Sequence, residues 1–193
     1  MRSIKIVALC SVLAILISTK TATAQSNLWV EAVVYSNSSG GGLAEFHVSA
    51  SKKLTSEIGV FGWAVTNKSW AESLAGILYE PNKSVSLQLG AGIEENKNPL
   101  RSTASVWTGG GKGSLFGVVE YGGSGFWYKS VGKANFLFNQ LPVGIGYYAQ
   151  RFEGIGPYLE AHVSSLTLYG SPIMFDPEHG SARNALVAVR FTP

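Results

Sequence analysis

The stretch VSLQLGAGIE, residues 85–94, decides the fold because apolar side chains alternate in it with polar or small ones. Successive residues of a β-strand point to opposite faces of the sheet. One face of this strand is therefore apolar, with Leu87 and Leu89 at its centre, and the other carries Gln88, two glycines and Glu94. The same two-residue period recurs along most of the chain and predicts an all-β protein.

The alternating runs are separated by short sequences rich in Gly, Asn, Pro and Ser, which predict turns. Because no separator is long enough for a crossover helix, consecutive strands are expected to pair antiparallel, as a single up-and-down barrel of 10–12 strands. Eleven runs are predicted, at 27–36, 43–52, 56–66, 71–80, 84–94, 101–109, 112–121, 125–138, 142–152, 156–169 and 184–192. A closed antiparallel meander needs an even number, so either a strand near residues 171–175 makes twelve or two runs merge to make ten. The run 71–80 also fits a helical stripe.

The N-terminus has the features of a cleaved export signal. Basic residues precede the apolar run 6–17, and the small-x-small tripeptide 22–24 provides a cleavage site before Gln25. The expected organisation is a signal peptide over residues 1–24 and one β-barrel domain over residues 25–193.

Cleavage would also remove Cys10, the one cysteine of the sequence, so no disulfide or cysteine nucleophile is expected in the mature chain. Without Arg2, Lys5 and Lys20, 12 Lys plus Arg balance 12 Asp plus Glu. Nucleic-acid binding needs a concentrated basic surface, so no nucleic-acid partner is expected. The sequence predicts no cofactor and no metal site.

The alternation fits two barrels of opposite orientation. A soluble secreted barrel encloses its apolar side chains and binds a small apolar ligand among them, whereas a membrane barrel turns them out towards lipid. Most lysines lie in or beside turns, leaving mainly Lys129 and Lys133 within a strand, and the polar face is rich in glycine, as at Gly90 and Gly92. Runs of about ten residues match the roughly 9–11 that a tilted strand needs to cross a bilayer. The membrane barrel is therefore the favoured interpretation and the soluble barrel its alternative.

Two further features concern the membrane interpretation. The last run ends Val187-Ala188-Val189-Arg190-Phe191, with Thr192 and Pro193 after the aromatic residue. Aromatic residues towards the ends of the runs fit the girdles that membrane barrels place at their interfaces. These are Trp29, Tyr35, Trp63, Tyr79, Tyr121, Tyr147 and Phe152.

The export signal, the alternating runs and the C-terminal ending together resemble the outer-membrane β-barrel class of Gram-negative bacteria. The resemblance implies Sec-dependent export, insertion into outer-membrane lipid, and contact between the last strand and the barrel assembly machinery. The resemblance says little about activity, and we expect a structural or narrow-pore role for such a barrel.

In this orientation the polar parity lines the lumen. In a small barrel such residues pair with one another and fill the interior as a salt-bridged plug. The alternative is a narrow pore whose slight acidic excess favours cations. The predicted lumen-lining residues are Glu31, Glu45, His47, Glu57, Gln88, Glu94, Arg101, Glu120, Lys129, Tyr148, Gln150, Glu160, His162 and Arg190.

One short motif suggests chemistry. His162-Val163-Ser164 puts an imidazole and a hydroxyl on one strand face, and Asp176, Glu178 and His179 follow in a loop. The motif resembles the His-x-Ser of outer-membrane lipid A deacylases, which implies a lipid-modifying hydrolase with His162 and Ser164 as catalytic candidates. The residues after the serine do not match that family, and both side chains are expected to face the lumen rather than lipid. A barrel without catalytic activity is therefore the preferred interpretation.

Overall fold

The computed structural model describes residues 26–36, 42–176 and 180–193, which form twelve antiparallel β-strands. The strands are β1 (Ser26–Ser36), β2 (Gly42–Lys53), β3 (Ile58–Thr66), β4 (Ala71–Asn82), β5 (Val85–Glu94), β6 (Leu100–Gly110), β7 (Gly113–Gly122), β8 (Gly125–Phe138), β9 (Leu141–Gln150), β10 (Gly154–Val163), β11 (Leu166–Asp176) and β12 (Gly180–Phe191). Within these ranges no helix is long and apolar enough to span a membrane.

Each strand pairs with the next along the chain, and β12 returns to β1 to close the sheet. At this seam Val30 lies opposite Phe191 and Ser36 lies opposite Ala185. A closed barrel has no strand edge with unpaired backbone groups, which is what a sheet in lipid requires. The expected antiparallel meander is confirmed, with twelve strands.

A turn at Ser164 explains why the sequence predicts an odd number of runs, eleven, where the barrel has twelve strands. The predicted run 156–169 is two strands, because β10 ends at Val163 and β11 begins at Leu166. Ser164 has a φ of 54°, in the left-handed region, and reverses the chain without help from glycine, proline or asparagine. The additional strand expected near residues 171–175 is the second half of β11.

The ambiguous run at 71–80 belongs to strand β4, which excludes its helical interpretation. It pairs along its length with β3 on one side and β5 on the other. Leu74 and Leu78 point inward and are buried, while Ile77 and Tyr79 are exposed on the outer face. Pairing with two neighbouring strands therefore overrides the local helical spacing.

The apolar parity faces outward. Leu89 is 68% exposed and Val187 is 64% exposed, whereas Glu160 is buried inside the barrel. Every one of the twelve strands carries at least one large apolar side chain that is exposed in this way. Soluble monomers rarely expose apolar patches larger than a few hundred Å². A belt around the whole barrel needs lipid to cover it, so the protein spans a membrane with its strands.

The girdle prediction is wrong for three of its seven residues. Trp29, Tyr35 and Trp63 point inward, because they share the parity of the buried residues Glu31 and Phe61 on their strands. Strand-end position alone does not decide the face. On the outer face Tyr79, Tyr121 and Tyr147 are exposed, and Phe152 lies in the turn between β9 and β10.

Candidate functional site

The barrel encloses a cavity of about 740 Å³ that runs along its axis. Asn27 and Thr192 line it at the end that carries the chain termini. Trp70 and Ser124 line it at the other end, where both lie in turns. Its volume falls within the range of small-molecule sites. Because residues from both ends of the barrel line the cavity, the lumen has the geometry of a passage.

The cavity brings most of the predicted lumen residues together. Glu94 is fully buried beside it, and His162 continues the inward parity of β10 in a half-buried position. Glu57 does not face the lumen: it is exposed in the turn between β2 and β3, since β2 ends at Lys53. The predicted residues that border the cavity are Glu31, Glu45, His47, Gln88, Arg101, Glu120, Lys129, Tyr148, Gln150, Glu160 and Arg190.

Three carboxyl groups surround the buried guanidinium of Arg101 near the end opposite the termini. Its Nε lies 2.8 Å from Glu120 Oε2 and 3.0 Å from Glu72 Oε2, and its Nη1 lies 2.9 Å from Glu94 Oε2. Ser124 completes this Arg101 cluster, accepting a bond from Nη1 at 2.7 Å and donating its backbone N–H to Glu94 at 2.6 Å. The cluster ties strands β4, β5 and β6 to β7 from inside.

A second group of charges joins the seam of the barrel to β2. Arg190 donates to Glu31 Oε2 at 2.7 Å, and its guanidinium also lies over the rings of Trp29 and Tyr169. On the other side of Glu31, His47 Nδ1 lies 3.6 Å from Oε1. These contacts hold β1, β2, β11 and β12 in register at the point where the sheet closes.

A third group lies on β8 and β10. Lys133 and Tyr158 donate hydrogen bonds to Glu160, and the Nε2 atom of His162 lies 2.7 Å from the same carboxyl group. Nδ1 of His162 lies 3.0 Å from the hydroxyl of Thr167. Both ring nitrogens of His162 therefore have partners other than Ser164.

The proposed His-x-Ser pair is not arranged on one strand face. His162 belongs to β10, whereas Ser164 lies exposed in the turn that follows it. The acids suggested as partners are Asp176, at the end of β11, and Glu178, which with His179 lies outside the described residues. The described geometry offers no base aligned on the Ser164 hydroxyl.

The lumen is filled unevenly. A tyrosine cluster, made of Val33, Tyr35, Tyr148, Tyr158, Tyr169, Met174, Leu186 and Ala188, packs together on the inner side of β1 and β9–β12. Tyr158 and Tyr169 have ring centroids 5.5 Å apart. This side of the lumen is a packed core, and the cavity lies mainly against the remaining strands.

The other side is lined by tryptophan, with Trp29 of β1 at the boundary between the two sides. All five tryptophans of the protein border the cavity. Strand alternation could have placed the strand tryptophans in the lumen from the sequence alone, since Trp107 shares the face of Arg101 and Trp127 shares that of Lys129. The same signal would have found Lys133. Glu72 was missed because its run also fitted a helix.

Comparison with known proteins gives fold likeness only. No protein-family model and no curated protein matches the chain. Among solved structures, the KdgM porin is 12% identical with a TM-score of 0.47, covering 84% of this chain and 98% of that one. The NanC porin is also 12% identical, with a TM-score of 0.46 and coverage of 85% and 98%. A mutant Rhodopseudomonas blastica porin is 9% identical, with a TM-score of 0.40 and coverage of 89% and 100%.

Proposed function

We propose that this protein is an outer-membrane β-barrel that forms a narrow pore for small solutes. The observation that carries the proposal is the cavity inside the closed barrel, which is lined by residues from both ends. The ion-paired clusters fill part of the lumen, as the plug interpretation predicts. A passage remains beside them, as the pore interpretation predicts. No step of this function needs a catalytic residue.

The charges along the passage predict weak ion selectivity. The carboxyl groups that border the cavity nearly balance the cationic side chains there. Arg101, Arg190 and Lys133 are each ion-paired with glutamate. Paired charges leave little net field for a permeating ion to sense. We therefore expect a slight preference for cations at most.

Planar-bilayer recording tests the pore directly. Folded, detergent-purified protein should produce discrete conductance steps, with a reversal potential near zero in a salt gradient. Heat-denatured protein from the same preparation is the control. If folded protein that shows the heat-modifiable mobility of a barrel produces no channel events, the pore proposal is wrong.

The cellular placement follows from the two ends of the sequence. Residues 1–24 would direct export and be removed, and the mature chain would begin at Gln25. The outward residues Val187, Val189 and Phe191 of β12 would present the final strand to the assembly machinery. Fractionation and N-terminal sequencing test this: the protein should be extracted from outer membranes only by detergent. Release with the soluble periplasmic contents, or a retained N-terminus, would contradict it.

A further inference from the structure

The placement of tryptophan in this barrel is unusual for a membrane protein. Tryptophan is normally enriched in the outward girdles at the two membrane interfaces. Here none of the five lies on the outer face, and all five border the lumen. They are Trp29, Trp63, Trp70, Trp107 and Trp127.

These indole rings are distributed along the whole passage. Trp29 and Trp107 lie within four residues of the strand ends on the side of the chain termini. Trp70 and Trp127 lie at the opposite end, and Trp63 is between them on β3. A solute that crosses the barrel therefore meets aromatic surface at its entrance, in the middle and at its exit.

Strand register places hydroxyl groups directly beside the rings. Ser49 on β2 lies opposite Trp29 on one side and Trp63 on the other. Ser86 on β5 lies opposite Trp107. Directly opposite residues have Cβ atoms about 4.5–5.5 Å apart, so each of these serine side chains lies next to an indole side chain. In the described part of the chain, the hydroxyls of Ser49 and Ser86 form no hydrogen bond, and both border the cavity.

The strongest charged groups of the lumen are already engaged. Arg101 and Arg190 each bind buried glutamates, and Lys133 binds Glu160. Lys129 lies over the ring of Tyr148, 5.2 Å from its centroid. An acidic solute would have to displace these pairs. Arg190 lies over the ring of Trp29 and His47 contacts the ring of Trp63. In the described part of the chain, Trp70, Trp107 and Trp127 have no ring or cation contact, so these rings and the two serines can make new contacts.

We infer that the passage binds neutral saccharides, an assignment that rests on the proposed pore function and names its solute class. A sugar ring has apolar C–H faces that pack on an indole and hydroxyl groups around its rim that hydrogen-bond to serine. An acyl chain would satisfy the rings but would leave the serine hydroxyls desolvated without partners. Rings alternating with hydroxyls match the saccharide on both counts.

Intrinsic fluorescence is a direct test, because every tryptophan of the protein borders the site. Folded barrel in detergent is titrated with maltotriose, cellotriose and N,N′,N″-triacetylchitotriose, with trigalacturonate and decanol as charged and apolar comparisons. At least one neutral trisaccharide should give a saturable change and should reduce conductance in the bilayer. Saturation by none of the three, or by trigalacturonate or decanol alone, would overturn the inference.

Variants locate the site. Trp63→Leu should weaken binding of the responding trisaccharide about tenfold, the factor that corresponds to about 1.4 kcal/mol, within the range of a good aromatic contact. Ser49→Val should weaken it about threefold. The matched control is Tyr121→Leu, which removes a ring from the outer face and should leave the affinity unchanged. If Trp63→Leu does not fold, Trp107→Leu replaces it, and an unchanged affinity in the folded variant contradicts the inference.

The two proposals fail in different ways. Conductance steps without any saccharide response would retain the pore and reject the saccharide assignment. A saccharide response without conductance would retain the binding site and reject the pore. Heat-modifiable mobility of each sample establishes that folded barrel was measured.

Discussion

The tyrosine side and the tryptophan side of the lumen both direct aromatic residues inward, but the first is packed and the second is open. In the tyrosine cluster the side chains pack together, with the rings of Tyr158 and Tyr169 5.5 Å apart, and Tyr148 has no exposed surface. On the tryptophan side, serine lies beside the rings on neighbouring strands, as in Ser49 beside Trp63 and Ser86 beside Trp107, and space remains. Aromatic content alone therefore does not make a lumen open or closed. The residues between the rings decide it.

The two sides also differ in the balance of forces that holds them together. Packing of apolar surface fills the tyrosine side, where neighbouring rings exclude water and the Arg190–Glu31 pair lies beside Tyr169 at the seam. On the tryptophan side, the Arg101 cluster connects four consecutive strands at one end. This comparison predicts that the first side responds to loss of volume and the second to loss of charge.

The largest effect is expected from Arg101→Met. It leaves three carboxyl groups buried without their cation, and removal of one partner from a buried ion pair costs about 3–5 kcal/mol. The free energy of unfolding, measured by urea denaturation in phospholipid vesicles, should fall by that amount. Replacing Glu72, Glu94 and Glu120 by Gln in the same variant should restore most of it. A loss below about 1 kcal/mol, the value of an exposed pair, would break the comparison.

Tyr35→Ala tests the packed side, because Tyr35 belongs to the tyrosine cluster and does not border the cavity. It should lower the free energy of unfolding by about 3 kcal/mol, because truncation of a buried aromatic residue leaves a cavity. Trp107→Ala is the matched variant on the open side and should cost about 1 kcal/mol, since its ring already borders a cavity. The same urea titration compares them. Equal losses would mean that the two sides are packed alike.

Leu89→Lys extends the comparison to the outer face. A lysine directed at lipid near mid-strand should cost about 2 kcal/mol. Gln88→Lys, one residue away and directed at the lumen, should change the free energy of unfolding by less than about 1 kcal/mol. Folding yields into vesicles and urea midpoints check both variants. A larger loss for Gln88→Lys than for Leu89→Lys would show that residue 88 faces lipid and residue 89 faces the lumen.

The smallest effect is expected at Gly90. A Cβ atom there would lie 2.8 Å from Cζ of Phe61 and 2.7 Å from the carbonyl oxygen of Ala75. Gly90→Ala should therefore cost about 1 kcal/mol through overpacking. Gly117→Ala is the control, because its Cβ would meet only Cγ1 of Val106 at an ordinary 3.7 Å. If the two variants unfold at the same urea concentration, close packing of Phe61 and Ala75 against Gly90 does not contribute to stability.

The sequence predicts the barrel well because strand parity is a strong local signal. Leu87, Gln88 and Leu89 alternate so regularly that the face of each follows from its neighbours. The turn at Ser164 could not be predicted, since serine marks a turn only weakly and no glycine, proline or asparagine accompanies Ser164 and Ser165. Which strands leave space between their side chains depends on cross-strand register, and no single strand carries that information.

The sequence predicts that charged residues in the lumen form ion pairs, but it does not predict which residues pair with each other. Parity indicates that Glu94, Arg101 and Glu120 face inward, but their distances depend on how β5, β6 and β7 are staggered. The same limit applies to Ser49, whose position between two indoles is a property of three paired strands.

A pair of single-cysteine variants tests the central claim most directly, that polar parity encloses a water-filled passage and apolar parity meets lipid. Gln88→Cys and Leu89→Cys are made in the mature chain, from which the predicted cleavage removes Cys10. In folded protein in a planar bilayer, a water-soluble methanethiosulfonate should modify Cys at position 88 and lower the conductance. At position 89 it should not react, and a fluorophore attached before folding should be quenched by brominated lipid. Modification at 89 with protection at 88 would contradict the account.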